Sequence, residues 1–386
     1  MIGRASPGVI AILLALGGCH REPAAPAIAA LPAPQPPAAS PAVPRFVPAD
    51  LPRIDVHDHI SPAGVQRAVT LLGAHGIQHL VNLSGGSPGR GLEEQLADAR
   101  SLPGKVSVFC NADFREAQKG PGYGKRMADQ LIVSKRLGAI GLKIPKGLGL
   151  GYTDASGKLL PVDDPGLDPL FEKAGELHMP ILIHIGDPKA FWNPATPINE
   201  RYDELEVHPG WSFYGQPVPS WQQLNDAFER RVARHPKTIF IGAHFGNDPE
   251  DPDRVAKMLD KYPNLYIDTA ARVPEIGREN AAHDQAKMRA FFEKYQDRIL
   301  FGTDSGIGPN EEDLMLGSSG ANPPTPAEVE RFFDATWRYF ETSERGMQHP
   351  TPIQGRWLID GVGLSRDVLA KIYAGNAERL LGIKLR

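Results

Sequence analysis

In the run Asp55-Val56-His57-Asp58-His59, two histidines frame an aspartate. Further along the chain, His184, His244 and Asp304 each follow a short apolar run. Imidazole and carboxylate are the donors that Zn²⁺ and similar divalent ions accept. Three or four of them around one ion, with a position left open, would let the ion bind water and lower its pKa to about 7. The resulting hydroxide is a competent nucleophile, and the ion can also polarise a carbonyl. Beside that water, His244 has the chemistry of a general base or oxyanion stabiliser, and Asp304 could both ligate and shuttle the proton. Taken singly, each residue has an ordinary explanation. A His-X-His pair is common, a lone histidine is usually hydrogen-bonded in a core, Asp268 could cap the next helix, and Lys143 could be a buried ion-pair partner. The two cysteines, Cys19 and Cys110, cannot supply a cysteine-rich metal site or a disulfide framework, so any ion must be held by His and carboxylate.

What distinguishes these residues is the set of elements that would carry them. Eight short apolar, β-branched runs bounded by turn residues predict strands over 53–56, 79–83, 105–110, 139–144, 180–185, 238–243, 265–268 and 298–302. Helical spacing follows most of them, over 92–101, 124–137, 167–177, 221–235, 251–262 and 281–295, and a last helix over 365–381 starts from an N-cap at Ser365. Strand alternating with helix eight times predicts an α/β fold of the (β/α)₈ TIM-barrel class. A doubly wound open sheet also alternates, but it usually has a glycine-rich phosphate loop after its first strand, where this chain has the histidine run. Catalytic groups of such a barrel sit at the C-terminal ends of its strands. His57 and His59 (strand 1), Lys143 (strand 4), His184 (strand 5), His244 (strand 6), Asp268 (strand 7) and Asp304 (strand 8) all fall there. Period-two alternation turns His57 and His59 to the barrel mouth and sends Ile54 and Val56 to the helix layer. On strand 4 it turns Lys143 inward with Gly141, and it leaves Asp58 behind the ligands.

The 386 residues include 41% hydrophobic and 23% charged side chains, with net charge −4. The sequence has no basic run, which argues against nucleic acid as a partner. At the N-terminus, Arg4 precedes an apolar stretch with the length of a signal-peptide core, which ends in Leu16-Gly17-Gly18-Cys19. The small residues before Cys19 resemble a bacterial lipobox. This predicts a signal peptide over 1–18, lipidation at Cys19 and a protein anchored in the bacterial cell envelope; a plain secretory signal to the periplasm is the alternative. Residues 19–49, almost all Ala and Pro from Arg21 to Pro48, predict a disordered tether. The folded domain is expected over 50–386.

With these residues placed, the sequence resembles the amidohydrolase superfamily in four places. They are Asp55-Val56-His57-Asp58-His59, Ile183-His184, Gly242-Ala243-His244 and Phe301-Gly302-Thr303-Asp304. The stretch Ile372-Tyr373-Ala374-Gly375-Asn376-Ala377-Glu378-Arg379-Leu380-Leu381-Gly382 is similar to the closing helix of the amidohydrolase-2 branch, which includes aminocarboxymuconate-semialdehyde decarboxylase-like enzymes. The resemblance covers Ile54 to Gly382. It implies a distorted barrel, metal ligands at His57, His59, His184 and Asp304, and a catalytic His244. Binuclear members carry a carboxylated lysine on strand 4 that bridges two ions. Lys143 stands at that place, so one metal or two are both open, and as a plain amine Lys143 would bind a substrate carboxylate.

Three long connections would shape the pocket: 147–164, 186–219 and 305–326. The second is rich in aromatics, among them Trp192 and Trp211 as candidate substrate contacts, although aromatics of a long loop also pack on one another. Arg272, just after strand 7, could pair with an anionic substrate or with a nearby carboxylate. The expected partner is a small molecule. The expected activity is hydrolysis of a C–N or C–O bond in an amide, lactone or ester. A non-oxidative decarboxylase of a small aromatic or unsaturated acid would use the same ligands, and a lipid-anchored binding protein without catalysis would be expected to have lost one.

Overall fold

The computed structural model describes residues 46–186 and 188–385. The expected signal peptide, Cys19 and residues 19–45 of the tether lie outside the described residues. The compact unit runs from Phe46 to the C-terminus. Phe46 and Ala49 pack on the core, and the Ala49 N–H donates to Glu341.

Eight parallel strands appear where the apolar runs predict them: β1 (Ile54–Ile60), β2 (His79–Asn82), β3 (Val106–Asn111), β4 (Gly141–Ile144), β5 (Ile181–Ile183), β6 (Phe240–Gly242), β7 (Leu265–Asp268) and β8 (Ile299–Leu300). Each pairs in parallel with the next. The two ends of the sheet also meet. Val56 N–H donates to Phe301 O at 3.0 Å and Asp304 N–H to His57 O at 2.9 Å. Just beyond, β9 (Ser305–Ile307) runs parallel to β1, and β10 (Leu314–Leu316) adds an antiparallel edge. This α/β fold with a curled sheet is consistent with the expected barrel.

Helices Leu92–Ser101, Tyr123–Leu137, Asp168–Glu176, Trp221–Arg234, Pro252–Lys261 and Gln285–Lys294 match the helical spacing. Two more, Val65–Ala74 and Pro326–Glu341, carry the same kinds of signal: buried residues spaced three and four apart in the first, and a Thr325/Glu328 capping box in the second. The last helix starts from Ser365 as expected but is broken by a π-turn over Lys371–Gly375.

Two apolar layers result. The larger packs the outer face of the strands on the helices. The smaller fills the barrel with Ile54, Val56, Leu83, Phe109, Leu182, Ile241, Tyr266 and Leu300, joined by Ala377 and Leu381 of the C-terminal helix. Here the parity reading of strand 1 fails: Ile54 and Val56 belong to the inner layer, not to the helix layer. The pairing of β1 with β2 shifts register between Asp55 and Asp58. An extra residue of this kind resets which side chains face inward, so Ile54 and Val56 fill the barrel while His57 still points into it. On β4 the alternation is regular: Leu142 and Ile144 join the outer layer, and an added Cβ on Gly141 would meet the inward Phe109 ring.

Candidate metal centre

The seam between β1 and β8 sets the first three candidate ligands. Asp55 is fully buried and acts as a stitch. Its Oδ1 accepts from the N–H groups of His57 and Thr303, each at 3.0 Å, and its Oδ2 from the Thr303 hydroxyl at 2.6 Å. Asp304, next along, adopts φ +62°. Aspartate tolerates this left-handed conformation better than most side chains, and the bonds from Asp55 to Thr303 and from Asp304 N–H to His57 O hold it there. The result brings Asp304 Oδ1 to 3.5 Å from both His57 Nε2 and His59 Nε2. On its other side, His59 Nδ1 lies 2.8 Å from Ser84 Oγ. The Gly302 Cα faces the His57 Cβ so closely that an added Cβ would lie 2.9 Å from it, so the approach of the two strands requires glycine at this position.

The next stitch joins β5, β6 and β7. After β6 the chain makes a left-handed turn: His244, Phe245, Gly246 and Asn247 all have positive φ. Asn247 is buried and reaches back to β5, where its Oδ1 accepts from Ile185 N–H at 2.8 Å and its Nδ2 donates to Ile183 O at 3.2 Å. His184 is the residue between those two backbone groups. Asp268 ends β7. Its Oδ2 lies 2.8 Å from His57 Nδ1, and its Oδ1 accepts from the N–H groups of His244 at 2.8 Å and Ala270 at 3.1 Å. His244 Nδ1 lies 3.0 Å from Ala270 O, which can only accept, so the proton of a neutral His244 sits on Nδ1 and its lone pair on Nε2.

One cluster therefore gathers side chains from five strands. Ligand atoms of His57, His244 and Asp304 lie within 4.8 Å of one another, a set that fits a divalent ion by its donor chemistry. His59 joins through Asp304. The His184 ring packs edge-on against His244 with centroids 4.2 Å apart. The buried Lys143 places Nζ 3.2 Å from His57 Nε2. Burial, with Lys143 second, holds His57 well below the usual histidine range, and burial with the same lysine and His184 pulls His59 down to about 3. Both imidazoles are thus neutral donors at neutral pH. Burial pushes Asp55 up to about 7 against its Thr303 and His57 hydrogen bonds, and pushes Asp268 up to about 7 against Lys143 and the two backbone N–H groups. Asp58 lies fully buried behind the ligands; burial, then the like charges of Asp55 and Asp304, raise it well above the carboxylate range.

The remaining candidates lie in the loops. Residues 188–219 are folded rather than open, with a helix at Tyr202–Val207. They are pinned by buried Arg201, which pairs with Glu204 at 2.8 Å and with Glu275. Trp192 packs at a tilt on Phe213 with centroids 4.6 Å apart and donates to Pro219 O, and the half-exposed Trp211 stacks on His208 at 3.9 Å. These contacts stay within the loop. Arg272 is buried and donates to Ala271 O at 2.8 Å. A cavity of about 700 Å³ lies between helix Pro326–Glu341 and residues 344–353, and no candidate ligand lines it. The sequence reading quoted Asp55 and Thr303 in its motifs without giving them a role, and it missed Asn247. Gly246-Asn247 carried a local signal, since both residue types tolerate the left-handed region.

The family model for amidohydrolases of the second branch, described as amidohydrolase, matches residues 112–383. The match takes in Lys143, His184, His244 and Asp304 and begins after His57 and His59. Among solved structures, an uncharacterized TIM-barrel protein from Bordetella bronchiseptica is 16% identical, with 86% of this chain and 99% of that chain covered and a TM-score of 0.49. For a 2,6-dihydroxybenzoate decarboxylase from Rhizobium the values are 16%, 86%, 99% and 0.48. For a probable 2-pyrone-4,6-dicarboxylic acid hydrolase from Acinetobacter baumannii they are 12%, 86%, 99% and 0.45. No curated protein sequence matches the chain.

Proposed function

The chain belongs to the amidohydrolase family, and from that premise we propose a metal-dependent hydrolase acting on a C–N or C–O bond of a small amide, lactone or ester. One observation carries this reading: His57, His244 and Asp304 converge within 4.8 Å at one end of the barrel strands, with His59 Nε2 3.5 Å from the same Asp304 oxygen. In this proposal His57, His59, His184 and Asp304 hold the ion, with Zn²⁺ preferred by three imidazoles and one carboxylate. When bound, such an ion supplies Lewis-acid polarisation of a carbonyl and lowers the pKa of water. The chain's own part is to keep His57 and His59 neutral by burial and to aim them with Asp268 and Ser84. His244, with its lone pair on Nε2, takes the proton from the attacking water and returns it to the leaving group. Asp304 has an oxygen beside both histidines and serves as ligand and second proton acceptor.

A second reading, decarboxylation of a small aromatic or unsaturated acid, is favoured by one specific feature. Lys143 brings an ammonium group into the buried cluster, 3.2 Å from His57 Nε2, where it would bind a substrate carboxylate. Carboxylation of Lys143 would instead give a bridge for two ions, with His244 as a ligand. Metal-loaded protein tested on lactones, esters and amides, and separately on aromatic carboxylates with CO₂ release followed, separates the two reactions; inactivity on both panels rejects them together. Metal content per chain in wild type and Lys143→Ala settles the stoichiometry, since two ions falling to one marks the bridge and one ion in both removes it. We further propose that lipid on Cys19 tethers the barrel to the bacterial envelope. Cys19→Ser should move the protein out of the membrane fraction, and unchanged fractionation refutes the anchor.

A further inference from the structure

We propose that Asp268 is a positioning residue whose two carboxylate oxygens fix the tautomer of His57 and the backbone of His244 at once. The proposal rests on the reading of His57 as ligand and His244 as base. Three observations lead to it. First, His57 Nδ1 and Asp268 Oδ2 are 2.8 Å apart and both side chains are fully buried, so no solvent competes for the contact. Second, a carboxylate offers acceptors only, and Asp268 Oδ2 faces His57 Nδ1 at 2.8 Å, so the ring proton sits on Nδ1. This leaves the lone pair on Nε2, the nitrogen 3.5 Å from Asp304. Third, the other oxygen of Asp268 binds the N–H groups of His244 and Ala270. His244 has φ +54° and ψ +57°, so a histidine in the left-handed region is tied to that carboxylate. Ala270 in turn offers its carbonyl to His244 Nδ1. One side chain thus sets which nitrogen of His57 and which nitrogen of His244 face the site, from strands that are otherwise separate in sequence.

Asp268→Asn tests this with little change of shape. The amide oxygen is required by the two backbone N–H groups, so the amide nitrogen must face His57 Nδ1. Being a donor only, it forces the ring proton to Nε2, the wrong nitrogen for a metal. The expected result is a Zn²⁺ dissociation constant raised about 10–100-fold, the usual range for losing such a partner, measured by competition with a chromogenic chelator. Long-range ¹H–¹⁵N spectra of the metal-free protein should show His57 changing from Nδ1–H to Nε2–H. Thermal unfolding of the metal-free variant should remain close to wild type, whereas Asp268→Ala should lower both metal affinity and stability. An unchanged His57 tautomer in Asp268→Asn, or a zinc affinity within twofold of wild type, overturns the proposal. If wild-type protein binds no zinc, the ligand reading fails by itself, and the tautomer spectra still decide the role of Asp268.

Discussion

Asn247 supplies the sharpest test of how the fold holds its candidate ligands. It adopts φ +64° at the end of the left-handed turn after β6, and its side chain bonds the backbone on both sides of His184. Asn247→Ala leaves the buried Ile185 N–H and Ile183 C=O without these partners. Each such loss costs about 1–3 kcal/mol. A left-handed alanine adds roughly 1 kcal/mol, for a total of about 3–7 kcal/mol. That is a large share of the 5–15 kcal/mol typical of folded domains. Asn247→Gly removes the backbone cost but not the lost bonds, so it should be about 1 kcal/mol more stable than the alanine variant. Asn247→Asp keeps an acceptor for Ile185 but turns a second acceptor toward Ile183 O, and it should be as damaging as alanine. Urea unfolding of the metal-free protein measures all three. Zinc affinity should fall along with stability, because the loosened segment carries His184. An alanine variant within about 0.5 kcal/mol of wild type would refute the reasoning, as would an alanine variant more stable than the glycine variant.

Other expectations follow from the same geometry. His57→Ala and Asp304→Ala should abolish activity and lower metal content, whereas His244→Ala should abolish activity and keep the metal; metal loss there would make His244 a ligand instead of a base. Asp248 is buried beside Arg254, and burial pushes its carboxyl up to about 8 from the ordinary 3.8. The folded state then holds a proton that the unfolded state has released between those values, so this group's contribution to stability falls as pH rises from about 4 to 8. The unfolding free energy of wild type relative to Asp248→Asn should therefore drop by roughly 1–3 kcal/mol between pH 5 and pH 7.5, and a flat difference would contradict the raised value.

The order of strands and helices, and the crowding of His57, His59, His184, His244 and Asp304 at one rim, were legible in the sequence alone. The reason is that apolar periodicity and turn residues are local properties, and a parallel α/β topology converts positions at strand ends into neighbours in space. The direction of Lys143 was legible for the same reason, because β4 is regular. The direction of Ile54 and Val56 was not: a register shift between Asp55 and Asp58 exists only relative to β2. Nor was the left-handed backbone at His244, Phe245 and Asp304: His and Asp tolerate it without requiring it, and the support for His244 and Asp304 comes from Asp268 and Asp55 on other strands. Asp268 read as a rim carboxylate or a helix cap, and its pairing with His57, 211 residues away, exists only in the fold. The sequence by itself thus determined which donors reach the barrel mouth. The tertiary structure decided which nitrogen of each histidine faces the site, because ring tautomers are set by hydrogen bonds between strands that only the closed sheet brings together.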